Sequence, residues 1–239
     1  MLFFDPMALL FMLPGILLAA WAQWKVHSAF SSASRFRPRS GVAGAEAAHA
    51  ILSASGVDGV RIQPVHGFLS DHYDPSARTL RLSPEVYGDR TLAAVGVAAH
   101  EAGHAIQHAQ RYTLLTIRNA LVPMANIGSQ AAFAIFFAGM IMASLQMLFL
   151  GKLLVYVAIG AFTLTVLFQL VNLPVEFDAS RRARIALQET GIVSPEEDRE
   201  VGKVLNAAAL TYVAATLTGI LTLLYFLFRS GILGRRSNA

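Results

Sequence analysis

Long apolar runs alternate along the chain with stretches that carry nearly all of its Arg, Asp and Glu. A helix needs about 20 apolar residues to cross the hydrocarbon core of a bilayer. Four segments reach that length: residues 3–24, 121–150, 153–173 and 204–228. The first is interrupted only by Asp5, Pro6 and Pro14 and closes on Trp21 and Trp24, a pair suited to the membrane interface. Only Gly151-Lys152 separates the second from the third, which predicts an antiparallel hairpin. Ala20-Trp21-Ala22 resembles a small-x-small cleavage site, yet no Lys or Arg precedes the run, so the first segment is expected to be an uncleaved anchor.

Between the apolar runs the period changes. Residues 44–55 place Ala, Ile and Leu at helical spacing and end at Gly56, a residue suited to closing a helix. Residues 60–65, 69–73 and 79–83 alternate as strands do, the last two around Asp74-Pro75-Ser76-Ala77-Arg78, which predicts a small β-hairpin or meander. From Thr91 the pattern turns helical and continues beyond His108. A second polar stretch, residues 174–203, opens on Pro174, which suits the first turn of a helix, with Glu176 inside that turn. The predicted fold is a mainly α membrane protein. It has about four transmembrane helices and a small α+β part, residues 25–118, in which a short hairpin or sheet precedes a helix.

Composition sharpens this picture. An apolar share of 55% with positive mean hydropathy exceeds that of ordinary soluble domains. The absence of Cys removes disulfides and thiolate sites and leaves His and carboxylates as the strong metal ligands. A net charge of +4 and a pI near 9.7 raise the question of nucleic acid, but no basic stripe interleaved with aromatics appears, so no such partner is expected. Instead the Lys and Arg collect in residues 25–118 and 174–203, and the positive-inside rule predicts that both face the cytoplasm from a bacterial inner membrane. The basic tail from Arg229 to Arg236 pulls the other way.

His100-Glu101-Ala102-Gly103-His104 spells HExxH. On a helix, positions i and i+4 lie about 40° apart, so both imidazoles point the same way one turn apart and can share one Zn²⁺. Glu101, displaced by about 100°, is free to take a proton from water. Ala102 and Gly103 leave room for another backbone. Read without a metal, two histidines on an Ala-rich helix are core groups that would each need a partner once buried.

A catalytic zinc takes three protein ligands and keeps one position open. Glu176 is the first choice for the third, because a ligand from a second helix closes a tetrahedral site more easily than three from one helix. His108, four residues after His104, is its chief rival and Asp178 the next. As a plain structural group, Glu176 would be a carboxylate favoured at a helix N-terminus.

The segments Asp71-His72-Tyr73-Asp74-Pro75, Leu82-Ser83-Pro84, Ala98–Gln107 and Pro174–Ser180 resemble, in order, those of the YugP-like family of neutral zinc metallopeptidases. More distantly the chain is similar to the HtpX and CAAX-prenyl-protease class of membrane gluzincins, whose glutamate ligand begins an E-x-x-A-D motif. The resemblance implies a zincin-like fold, Glu176 as third ligand and Ala179 as the motif's alanine. Ser180 stands where that motif has Asp, so either Ser180 or Asp178 is expected to support a zinc histidine. It also implies that residues 79–83 present a strand edge along which a substrate peptide lies extended.

The expected function is that of a membrane-bound zinc endopeptidase with Glu101 as general base, acting on membrane or membrane-proximal proteins. His72, Tyr73, His108 and Arg182 are candidates for stabilising the oxyanion. Arg181, Arg182 and Arg184 also fit a basic cluster at the membrane surface. Two other readings stand beside this one: an intramembrane, site-2-type metalloprotease with HExxH inside a span, and an inactive membrane scaffold or metal-binding module. The polar residues Gln107, His108, Gln110 and Arg111 make the motif's segment a poor span.

Overall fold

A computed structural model describes residues 6–67 and 70–233. Three parts of the sequence reading lie outside them: the start of the first span at residues 3–5, Leu69 at the head of its strand, and Arg235 and Arg236 of the basic tail. The helices are α1 (Pro6–Ala33), α2 (Gly44–Ala54), α3 (Pro84–Tyr87), α4 (Leu92–Ala109), α5 (Thr113–Ser144), α6 (Leu148–Glu189) and α7 (Pro195–Arg229). The strands are β1 (Arg61–Pro64), β2 (His72–Asp74) and β3 (Thr79–Leu82). Among the described residues α1, α5, α6 and α7 are long and apolar enough to cross a membrane. The protein is thus a mainly α membrane protein with a small sheet, as the apolar runs predict.

The chain divides into two compact units. An apolar unit comprises Met1–Trp21, Ile117–Asn172 and Tyr212–Ala239. Its centre is aromatic: Phe136 and Phe226, both fully buried, stack with centroids 4.1 Å apart and planes 8° from parallel, and Phe162 and Tyr225 pack around them. The reversal between α5 and α6 lies at Leu145–Met147, where Gln146 takes φ +64°. Gly151 and Lys152 are therefore helical residues near the start of α6 and not the loop that the sequence suggested. The glycine serves packing: a Cβ on Gly151 would stand 2.6 Å from Ala143 N and 2.8 Å from Gly139 O. In an apolar setting, where helices gain little from excluding water, such close backbone approach is what holds neighbours together.

The second unit, Ala22–Thr116 with Leu173–Thr211, has a mixed composition. Its core gathers Ile51 and Leu52 of α2, Leu80 and Leu82 of β3, Leu92 and Val95 of α4, Leu187 of α6 and Val201 of α7. The sheet order is β1-β3-β2, with β1 parallel and β2 antiparallel to β3. The β2–β3 turn is built on Asp74, whose Oδ1 accepts from the backbone N–H of Ser76 and Ala77 and from the Ser76 hydroxyl, and Arg78 closes it at φ +46°. β3 is consequently the central strand, paired on both sides, and not an edge open to a peptide; the edge strands are β1 and β2. Ser83 at the end of β3 donates its N–H to Asp71, which ties the approach to β2 back onto the sheet.

Pro174 does not start a helix but lies inside α6, which runs without a break through Glu176 to Glu189. Proline removes one N–H and so leaves the carbonyl of Leu170 without its helical donor, a loss that helices of apolar surroundings tolerate. The residues read as one helix, 174–203, are divided between the end of α6 and the start of α7 by the turn before Pro195.

Candidate metal centre

Every side chain of the candidate site belongs to α4, α6 or the sheet of the second unit. α4 starts where the Thr91 hydroxyl accepts the Ala94 N–H, a local cap that sets the helix phase. From that start its Ala-rich face is buried through Ala105 and Ile106. Gly103 permits the decisive contact, because a Cβ there would lie 2.5 Å from Ala179 O of α6. The two backbones therefore meet beside the motif, and the side chains one turn away on each helix face each other.

His100, His104 and Glu176 offer three donor atoms within 4.8 Å of one another. Glu176 Oε2 stands 3.2 Å from His100 Nε2 and 3.5 Å from His104 Nε2. The two rings are 4.8 Å apart and nearly perpendicular. Donors at about 2.0–2.1 Å from a shared tetrahedral centre stand about 3.3–3.4 Å from each other, so these separations fit a zinc ion. Glu176 is 2% exposed, and a carboxylate so buried needs a counter-charge.

The far side of each ring is engaged. His100 Nδ1 is 3.1 Å from Ser180 Oγ, and His104 Nδ1 is 3.0 Å from Gln107 Oε1. Gln107 is fully buried, and its Nε2 donates to Val175 O and to Asp178 Oδ2, each at 2.9 Å. With both amide hydrogens spent on acceptors, Oε1 must face the imidazole, so His104 carries its proton on Nδ1 and keeps the lone pair on Nε2. Asp178 is held in turn by Arg181 and Arg182.

Charge follows the same lines. Burial alone would raise the Glu176 carboxyl, but hydrogen bonds and the charges of both imidazoles hold it well below the usual carboxylate range. Burial works against a charged His104, yet Glu176, then Glu101 and Gln107, raise its affinity for a proton. The Glu176 carboxylate thus favours positive charge beside it, the role that a bound cation would fill. The Asp71 carboxyl is pushed up by its partial burial and, to a lesser degree, by the Glu101 charge, with Ser83 opposing the shift through its hydrogen bonds.

The other candidates stand apart from this trio. His108 Nδ1 is 2.8 Å from the Tyr73 hydroxyl, so β2 engages it and not the metal group. His72 is exposed and bonded to its neighbour Ser70 O. Arg182 is occupied by Asp178 and Gln110, with its guanidinium 5.6 Å from the Tyr112 ring centre. Asp178 reaches His104 only through Gln107. Sequence reasoning overlooked Gln107, although its place three residues after His104 puts it within reach on the same helix face.

Residues 8–231 match a protein-family model described as putative neutral zinc metallopeptidase. The curated "Putative membrane protease YugP" of Bacillus subtilis (strain 168) is 44% identical over 209 residues, which cover 87% of this chain and 90% of that protein. No solved structure matches the chain.

Proposed function

The chain belongs to the family of neutral zinc metallopeptidases, and on that premise we propose that it is a membrane-bound endopeptidase with His100, His104 and Glu176 as zinc ligands and Glu101 as general base. The observation that carries this reading is the meeting of three donors from two helices at separations suited to one ion.

When bound, the zinc ion supplies a Lewis acid that polarises a peptide carbonyl and makes water acidic enough to lose a proton near neutral pH. Ser180 and Gln107 orient the two imidazoles so that each presents Nε2. Glu101 takes the proton of the attacking water on its carboxylate and passes it to the leaving amine nitrogen as the C–N bond breaks. For the oxyanion we assign Tyr73 of β2, hydrogen-bonded to His108, which lies one turn past His104 on α4. With β3 enclosed, the edge strand β2 takes its place as the strand that holds a substrate extended.

The substrates are membrane proteins or their membrane-proximal segments, a reading supported by the four apolar helices. From the distribution of Lys and Arg, the site faces the cytoplasm of a bacterial cell membrane. An intramembrane protease is disfavoured because HExxH lies on α4, which is not one of the four apolar helices.

Purified wild type and Glu101→Gln, assayed for bound zinc and for cleavage of an unfolded membrane protein, test the assignment. The variant should keep its zinc and lose about 10²–10⁴-fold in rate. Equal cleavage by both removes Glu101 as the base, whereas zinc-loaded wild type that cleaves nothing points to a scaffold. In parallel, Glu176→Ala should lose zinc and His108→Ala should keep it.

A further inference from the structure

The Gln107 amide orients His104 only while it stays the right way round. Its Nε2 donates to Val175 O and Asp178 Oδ2, each at 2.9 Å, which leaves Oε1 3.0 Å from His104 Nδ1. A half-turn of the amide would set Oε1 against those two acceptors and Nε2 against the imidazole. His104 Nδ1 would then accept, and the ring proton would sit on Nε2, the atom that Glu176 approaches at 3.5 Å. The Val175 carbonyl opposes that half-turn as a neutral acceptor. The Asp178 carboxylate opposes it more, because a hydrogen bond to an ionised group is about twice as strong.

Two arginines hold Asp178, in different ways. Arg181 bonds Oδ1 from a side chain 66% exposed, where water screens the pair. Arg182 bonds Oδ2, the oxygen that Gln107 uses, from a side chain 20% exposed. Its Nη1 donates to Gln110 Oε1 at the end of α4, and its guanidinium stands over the Tyr112 ring. Arg182 therefore ties α6 to the end of the helix that carries both histidines. We infer, on the metal-centre reading proposed above, that Arg182 is a positioning residue for zinc: it fixes Asp178, Asp178 fixes the Gln107 amide, and the amide keeps the His104 lone pair on Nε2. A lysine there would keep the charge and lose the planar fork that meets Asp178 and Gln110 together.

Titration of the purified full chain with zinc against a competing chelator tests this. Arg182→Met and Arg182→Lys should each weaken zinc binding about ten-fold. Arg181→Met should bind within about two-fold of wild type, as its exposed ion pair predicts. Because Arg182 acts through Gln107, adding Arg182→Lys to Gln107→Leu should weaken binding no further, a result that general damage to the fold would not give. In the zinc-loaded protein with isotopically labelled histidine rings, the His104 Nδ1–H should exchange with water faster in both Arg182 variants and as in wild type in Arg181→Met. Wild-type affinity in Arg182→Lys, an equal loss in Arg181→Met, or additive losses with Gln107→Leu overturns the inference and leaves the metal centre standing, so long as Glu176→Ala has lost its zinc. Wild-type zinc binding by Glu176→Ala would instead remove the centre, and the inference with it.

Discussion

At the residue scale, the spacing of His100 and His104 is legible because one helix turn fixes it, whereas the partners of those rings depend on a second helix. Gln107 shows why. Beside Gln110 and Arg111 it reads as the start of a polar surface, yet Val175 O and Asp178 bury it completely against α6. Replacing Gln107 with Leu keeps the volume and removes the group that fixes the His104 tautomer. Zinc affinity should fall about 10–100-fold, measured by titration against a competing chelator; wild-type affinity in the folded variant would detach Gln107 from the site. Glu46 makes a different forecast. Its carboxylate is held below its ordinary pKa of 4.5 by the Ala43 N–H and then by Arg90. The stability it confers is fully present above pH 4.5 and is lost as the pH falls through the lowered folded value. Denaturant unfolding of wild type and Glu46→Gln below that pH should show the variant with the shallower acid loss.

Elements were legible where their signal was periodic and less so where a single residue had two uses. Gly151-Lys152 is the strongest turn signal in its region, but the glycine there is spent on bringing α6 against α5, and Gln146 makes the turn instead. Pro174, favourable at a helix start, sits within α6 because the apolar run before it was already helical. The place of β3 was hidden for another reason, since β1 reaches it as a parallel strand and local alternation cannot reveal pairing across a longer connection. The contact of Gly103 with Ala179 yields this scale's prediction. Gly103→Ala should force α4 from α6, cost about 1–3 kcal/mol in unfolding free energy and weaken zinc binding with every ligand still present. Ala102→Gly, also on α4, should leave the spacing intact and keep zinc.

For the whole molecule, the division into two units means that an ion held between α4 and α6 should stabilise one of them selectively. At zinc concentrations about 1,000-fold above Kd, binding adds about 4 kcal/mol to the stability of the folded state. Chelation should therefore speed hydrogen exchange in α4 and in α6 around Glu176, while amides near Phe136 and Phe226 exchange as before. Equal acceleration in both places would mean that the units do not open separately. Composition and apolar runs foretold the membrane unit well, because about 20 consecutive apolar residues have few other uses. The polar unit was harder to foresee, since its core is assembled from parts of α1, α2, α3, α4, α6 and α7 together with β3.

The brevity of β2 has its own corollary. Three residues at the rim of a sheet can exchange only a couple of main-chain bonds with a visitor, too few to peel a strand from a well-folded neighbour. On the proposed reading, what this protease would recognise in a victim is slackness more than spelling: a loose tail or a chain already coming undone could lie down along β2, and an intact domain would slide past uncut.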